Sequence, residues 1–272
     1  MQPVTINLEI CNQDGICAEV CPRKLIDFST KTPTPVAGIE TLCIRCGHCM
    51  AVCPTAALSV AGIKPQDCEP VDKKLHASTA QLTHILKSRR SIRVYQDRPV
   101  ERETIEKILD VCCFAPTGSN AQQVNWIITD DQTKIRTLGG LTIDWMRKAI
   151  ETNDPISQNA PLAGIVEGWE KGEDRLFRGA PLVLITHAPE ISSMPRENCV
   201  IAMTYFDLVA FSLGIGTCWT GLFMLAVAHH PPIWQFLEIP DDHRVFGTMV
   251  AGYPKYKYQR IPARHDAKAV WL

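Results

Sequence analysis

Two stretches of the chain carry thiols at a spacing suited to inorganic chemistry: residues 11–22 read CNQDGICAEVCP and residues 43–54 read CIRCGHCMAVCP. Laid over each other at an offset of thirty-two positions, they agree at Cys11/Cys43, Gly15/Gly47, Cys17/Cys49, Val20/Val52, Cys21/Cys53 and Pro22/Pro54. The second copy is a complete C-x2-C-x2-C-x3-C-P run. Thiolates are soft ligands, and such a run wraps around an iron–sulfur cube with its three near cysteines while the fourth serves a neighbouring cube. Cys43, Cys46 and Cys49 therefore take Cys21 as their fourth ligand, and Cys11 and Cys17 take Cys53. Tetrahedral zinc is built from separated C-x2-C pairs and suits seven cysteines with two Cys-Pro ends less well.

The first copy departs at one position, where Asp14 stands in place of a fourth thiol. Either the carboxylate ligates that iron, giving a 4Fe-4S cube with one exchangeable corner, or the iron is absent and a 3Fe-4S cluster remains. A bland alternative makes Asp14-Gly15 a simple turn beside a degenerate cluster, which would leave Cys11, Cys17 and Cys53 without a shared purpose. Over roughly residues 1 to 65 the sequence resembles the bacterial two-cluster ferredoxins, and the resemblance implies their pseudo-symmetric fold of short hairpins and helices.

Eight of the twelve cysteines lie in the first 68 residues, seven of them at motif spacing, so metal ligation explains them better than a disulfide scaffold does. Cys68, Cys112, Cys113, Cys199 and Cys218 lack ligand spacing and read as structural. A formal net charge of -1 argues against nucleic acid and anionic membranes as partners. The opening MQPVTINLEI lacks the pattern of a leader, so a cytoplasmic setting is expected. Residues 208–228 carry no charge over 21 positions, but glycines and threonines interrupt the run, and a buried helix followed by a loop is expected rather than a membrane span.

A Pro-containing polar stretch after Ala61 reads as a linker, which divides the chain into residues 1–75 and 76–272. Beyond it, Leu82, Ile85 and Leu86 fall at helical spacing, and a second helix starts near Glu101 with Ile105, Ile108, Leu109 and Cys112 on one face. At the end of the first helix, Arg89, Arg90 and Arg93 surround Ser91; guanidiniums and a hydroxyl so placed suit a phosphate. APTGSNAQ at 115–122 is a turn before a strand-like WIIT, and GAPLVLITH and FGTMVAGYP read as core strands. NCVIAMTYFDLVAFSLGIG reads as a largely buried helix, and residues 141–178 match no usable pattern. His187, His229 and His230 lack partner carboxylates or ligand spacing and read as structural.

Together RRSIRVY, APTGSNAQ, RGAP, LGIGTCWTG and VAGYP, in this order over about residues 78 to 262, resemble the FMN-dependent nitroreductase family. The added ferredoxin module resembles its iron–sulfur branch in anaerobic microbes. The resemblance implies an α+β fold with a mostly antiparallel sheet wrapped by helices, and a homodimer with FMN at the interface. It implies Arg89, Arg90, Ser91, Arg93 and Arg260 at the ribityl phosphate, Pro116, Thr117, Ser119 and Asn120 reaching FMN across the dimer, and Trp219, Thr220 and Gly221 along the ring. Gln122 is followed by Gln123-Val124 where the family often has Pro-Trp, which weakens it as a ligand.

Clusters pass single electrons and a flavin delivers pairs, so the expected function is an oxidoreductase carrying electrons from clusters to FMN and on to an electron-poor organic acceptor, nitroaromatic, quinone-like or conjugated. The donor is an external ferredoxin or NAD(P)H acting at the flavin, since no G-x-G-x-x-G follows a strand. The alternatives are a redox sensor or electron-transfer subunit, and a related chemistry such as reductive dehalogenation. Replacing Asp14 by Cys is expected to give reduced four-iron EPR signals from two interacting clusters. In the unsubstituted protein, an oxidised three-iron signal that the variant lacks marks an empty corner, and four-iron signals in both proteins mark a filled one.

Overall fold

The computed structural model describes residues 2–272 and divides into two units, the first running through His76 and including Ser119–Ala121, the second holding Ala77–Gly118 and Gln122–Leu272. The first contains β1 (Val4–Ile6), α1 (Ile16–Val20), β2 (Ile26–Asp27), β3 (Thr34–Pro35), α2 (Ile39–Leu42), α3 (His48–Val52) and β4 (Leu58–Val60). β1 and β4 pair antiparallel with Val4 opposite Val60, and β2 and β3 form a hairpin. The sequence repeat is a repeat of backbone shape. α1 and α3 are entered through Gly15 (φ 75°) and Gly47 (φ 74°), in the left-handed region open to glycine. Both end at a cysteine in extended conformation, Cys21 and Cys53, because the following proline disfavours helical geometry at the residue before it. Val4, Leu25, Ile26, Ile39, Leu58 and Val60 form the buried core of this unit.

The second unit contains α4 (Thr79–Ser88), α5 (Arg102–Cys112), β5 (Asn125–Thr129), α6 (Gln132–Glu151), α7 (Pro155–Asn159), α8 (Leu162–Glu170), β6 (Leu182–Pro189), α9 (Pro195–Ser212), β7 (Gly216–Trp219), α10 (Gly221–His229), α11 (Pro231–Leu237) and β8 (His243–Gly252). The strands form one antiparallel sheet in the order β5-β6-β8-β7. Alternate residues of β6 serve opposite faces. Val183 and Ile185 join a core with Leu138, Ile143 and Met146 of α6, Leu162 of α8 and Phe223 of α10. Leu182 and Leu184 join the other, with Ile105 and Ile108 of α5 and Met203 and Phe206 of α9. Helices thus cover both faces, and β6 carries an apolar run rather than a strict alternation.

One sequence expectation changes, and two stretches that the sequence left open are settled. The uncharged run 208–228 is the end of α9, the strand β7 and most of α10, not a helix followed by a loop; Gly214, at φ 77°, ends the helix, and β7 then pairs with β8. Among the described residues no helix is long and apolar enough to cross a membrane. Residues 141–178 are mostly helical, in α6, α7 and α8, with Ile143, Trp145 and Met146 buried in the core. The apolar stripe of α4 is not buried within the chain, as Leu82 and Leu86 are each about half exposed at 50% and 51%.

The segment after α4 is fastened to the sheet edge. Ile92 N–H donates to the Thr217 carbonyl (2.8 Å), Gln96 N–H to that of Tyr253 (2.8 Å) and Lys255 N–H to that of Val94 (3.1 Å). Close approach here depends on Gly216, since a Cβ at that position would overlap the Ile92 side chain. Gly216→Ala is expected to cost about 1–3 kcal/mol through overpacking, seen as a lower midpoint in thermal unfolding of the full chain.

Candidate functional site

The repeat geometry sorts the thiols into two sets. Cys21, Cys43, Cys46 and Cys49 line one small cavity whose walls include Val4, Leu25, Ile39 and Val60. Burial, then the nearby Cys21, Cys46 and Cys43, push the Cys49 thiol up to about 11. Cys17 is raised by burial and by Cys11, Asp14 and Cys53 as its charged neighbours. Burial also acts to raise Cys53, but bonds from the Thr55 hydroxyl and the Ala57 and Thr55 N–H groups bring it below its ordinary value. Each cysteine that ends a helix therefore stands with the near thiols of the other copy.

These surroundings suit an iron–sulfur core. Thiols held up by burial and mutual repulsion become good anionic ligands when a cationic centre offsets the charge. Backbone N–H groups already point at sulfur: Leu25 to Cys21 Sγ (3.3 Å), Arg45 to Cys43 Sγ (3.4 Å) and Ala57 to Cys53 Sγ (3.3 Å). Among the described residues no three His, Cys, Asp or Glu side chains close on a single ion; Cys21, Cys43, Cys46 and Cys49 instead surround a cavity. Asp14 is exposed and its Oδ1 accepts the Ile16 N–H at 3.1 Å, so the carboxylate is tethered at the start of α1.

In the second unit, Arg93, Trp219, Thr220 and Gly221 meet at one cavity of about 160 Å³, joined by Arg175, Arg178, Cys218 and Phe223. Trp219 ends β7, and Gly221 begins α10, whose N-terminal N–H groups carry partial positive charge. Thr220 is fixed by its hydroxyl, which donates to Thr248 Oγ1 (2.8 Å), and by its N–H, which donates to the Thr248 carbonyl (3.0 Å). Arg175 and Arg178 sit in a loop shaped by Asp174, whose carboxylate accepts the N–H groups of Leu176 (3.0 Å), Phe177 (2.8 Å) and Gly179 (3.0 Å). Three guanidiniums and a helix N-terminus at one cavity can take an anion such as a phosphate. The sequence singled out RGAP as a motif without assigning a role to Arg175 or Arg178; their spacing of three carries no signal until the loop folds.

The other residues singled out by sequence are dispersed. Arg89 Nη1 pairs with Asp207 Oδ2 at 3.2 Å, and the Thr217 hydroxyl donates to Asp207 Oδ1. Arg90 and Ser91 are half-buried, and Arg260 lies in the exposed tail and does not line the cavity. Pro116 is exposed, and Thr117 Oγ1 accepts the Gln122 N–H at 3.1 Å. Gly118 N–H donates to the buried Asn198 side chain at 2.8 Å, an anchor that sequence reading missed, because Asn198 follows Pro195-Arg196-Glu197 in the first turn of α9, where a polar residue is ordinary. Ser119 and Asn120 belong to the first unit, where Asn120 Nδ2 donates to the Ile44 carbonyl (3.0 Å) and the Arg45 carbonyl (3.2 Å).

Burial raises the Asp207 carboxyl above its ordinary value against the lowering effects of Thr217 and Arg89. Its folded pKa thus exceeds the unfolded one, so its contribution to stability is fully present below the unfolded value and is lost as pH rises through the folded value. Arg89→Ala removes the partner of a buried carboxylate and is expected to cost roughly 1–3 kcal/mol. Thermal unfolding at acidic and neutral pH should show the deficit growing as pH rises.

Two family models match the chain: the nitroreductase family over residues 86–253, and the 4Fe-4S dicluster domain over residues 10–57. A protein of Archaeoglobus fulgidus described as a putative NADH dehydrogenase/NAD(P)H nitroreductase is 27% identical over 172 residues, covering 62% of this chain and 82% of the relative. One from Methanothermobacter thermautotrophicus with the same description is 26% identical over 181 residues, 65% of this chain and 79% of the relative. Among solved structures, a nitroreductase with bound FMN from Bacteroides fragilis shares the fold, with a TM-score of 0.57 at 20% identity over 71% of this chain and 98% of its own. With the family match spanning more than half of its length, and a dicluster iron–sulfur domain ahead of it, this chain is a member of the nitroreductase family.

Proposed function

We propose that the protein is an FMN- and iron–sulfur-dependent oxidoreductase that reduces an electron-poor organic acceptor, nitroaromatic, quinone-like or conjugated. The observation that carries this reading is the cavity where Arg93, Arg175 and Arg178 meet Trp219, Thr220 and Gly221, in a chain that also sorts its motif cysteines into two sets. FMN would supply two-electron chemistry and the clusters one-electron transfer. Arg90, Ser91 and Arg93, with Arg260 from the tail, would hold the phosphate, Pro116 and Thr117 would contact the cofactor from their loop, and Trp219, Thr220 and Gly221 would border the ring. Asp207 holds Arg89 at the end of α4, which fixes where the basic segment begins. The guanidiniums and the N-terminus of α10 supply fixed positive charge, which favours an anionic reduced cofactor.

Cys21, Cys43, Cys46 and Cys49 would ligate one 4Fe-4S cluster, and Cys11, Cys17 and Cys53 with Asp14 would hold the other. The names carried by the archaeal relatives support NAD(P)H as an electron donor, and the cluster module suits an external ferredoxin as another. The uncovered Leu82 and Leu86 of α4 support a homodimer, because an apolar stripe of this kind gains by meeting a second copy. Twelve unpaired cysteines suit a reducing, cytoplasmic setting.

Cys46→Ser separates the two centres. It is expected to abolish turnover driven by a reduced ferredoxin while leaving FMN content, and the reaction of dithionite-reduced FMN with the acceptor, intact. Loss of both reactions together would contradict an entry through the clusters.

A further inference from the structure

We propose that Asn120 is a positioning residue for the cluster held by Cys21, Cys43, Cys46 and Cys49, and that it raises the reduction potential of that cluster by clamping the Ile44–Arg45 peptide. The inference rests on the cluster reading of these four thiols and not on the flavin.

The geometry is a chain of hydrogen bonds. Asn120 Nδ2 donates to the Ile44 carbonyl at 3.0 Å. The other end of that same peptide unit, the Arg45 N–H, donates to Cys43 Sγ at 3.4 Å. A donor on the carbonyl polarises the peptide and strengthens the hydrogen bond its N–H makes. The second hydrogen of the amide reaches the Arg45 carbonyl at 3.2 Å, so one side chain grips both carbonyls flanking Arg45. The grip acts on a backbone that carries some strain, because the Arg45 φ of 53° is left-handed and unfavourable for a residue with a Cβ. Such conformations persist when their surroundings over-determine them.

Ser119 and Asn120 both lie in the left-handed region, at φ 52° and 55°. Asparagine suits this position on two counts: it tolerates positive φ better than most residues, and it offers two N–H groups on one short side chain.

The repeat supplies an internal control. Gln13 occupies the position equivalent to Arg45 and has a similar φ of 57°. Among the described residues no side chain makes the matching pair of bonds to the carbonyls of Asn12 and Gln13. A hydrogen bond to ligand sulfur favours the more negative reduced cluster and so raises its potential. Loosening the clamp should therefore lower the potential of one cluster and leave the other alone.

The test is an EPR-monitored redox titration of the anaerobic full chain, with iron, sulfide and FMN quantified. The cluster in question is assigned as the one that Cys46→Ser removes. Asn120→Gly deletes the amide in a residue that accepts the backbone conformation, and Asn120→Asp keeps the shape but presents oxygens to the two carbonyls. In both variants the reduction constant of this cluster is expected to fall about tenfold, about 59 mV for a one-electron couple, with the other cluster unmoved and the shift larger for Asp. Unchanged potentials in both variants, or equal shifts in both clusters, would overturn the proposal. If Asn120→Gly loses this cluster, its recovery in Asn120→Gln, which restores the donor, supports the clamp, and loss in both variants overturns it. A protein that binds no FMN would sink the flavin reading and leave this titration readable; bound FMN with an unmoved cluster would sink the clamp alone.

Discussion

A carboxylate buried in the middle of an apolar helix must find partners, and the second unit is organised around that requirement. Asp207 lies on α9 among residues that pack the sheet, and it is served by Arg89 from the end of α4 and by Thr217 from the edge strand β7. The end of α4, distant in sequence, is thereby brought to α9 and to the strand that follows it. An unpaired buried charge costs several kcal/mol, so the alternatives in which Arg89 turns to solvent are disfavoured. The basic segment then runs beside β7, with Ile92 bonded to Thr217 and packed against Gly216. Arg93 reaches the cavity at Trp219–Gly221 because Arg89 and Ile92 are already fixed.

The first unit obeys a different constraint. Its apolar core is small, and clusters of the kind proposed for its two thiol sets would add binding energy that counts as folding energy. Gly15 and Gly47 set the entry to each short helix, and the Cys-Pro pairs end it, releasing Cys21 and Cys53 to face the opposite set. The symmetry is broken twice, once in composition by Asp14 and once in surroundings by Asn120, which grips the second copy alone among the described residues. Two sites alike in backbone shape thus present different ligand and hydrogen-bonding environments, which are the terms that set potentials.

Much was legible in the sequence wherever a local rule governs. The cysteine spacing gave the two thiol sets because short loops allow few ways to place four sulfurs, and the crossing of Cys21 and Cys53 follows from helix ends that proline dictates. The strands at WIIT, GAPLVLITH and FGTMVAGYP were visible because β-branched runs flanked by turn residues have few other uses. The run 208–228 misled because a strand buried on both faces and a buried helix show the same absence of charge, and pairing with β8 decided between them. The α4 stripe showed helical spacing but not its partner, since periodicity reports which face is apolar and not what covers it.

What the sequence by itself determined is a dicluster iron–sulfur module, its place ahead of the second module and the family, all of which depend on residue type and short spacing. The tertiary structure decided which polar groups meet across long separations: Arg89 with Asp207, Gly118 with Asn198, Arg93 with Arg178 at one cavity, and Asn120 with the Ile44–Arg45 peptide. These pairings join residues separated by 76 to 118 positions in sequence. No local preference encodes them, because each depends on segments distant in sequence folding against one another, and short-range rules of propensity and spacing do not reach that far.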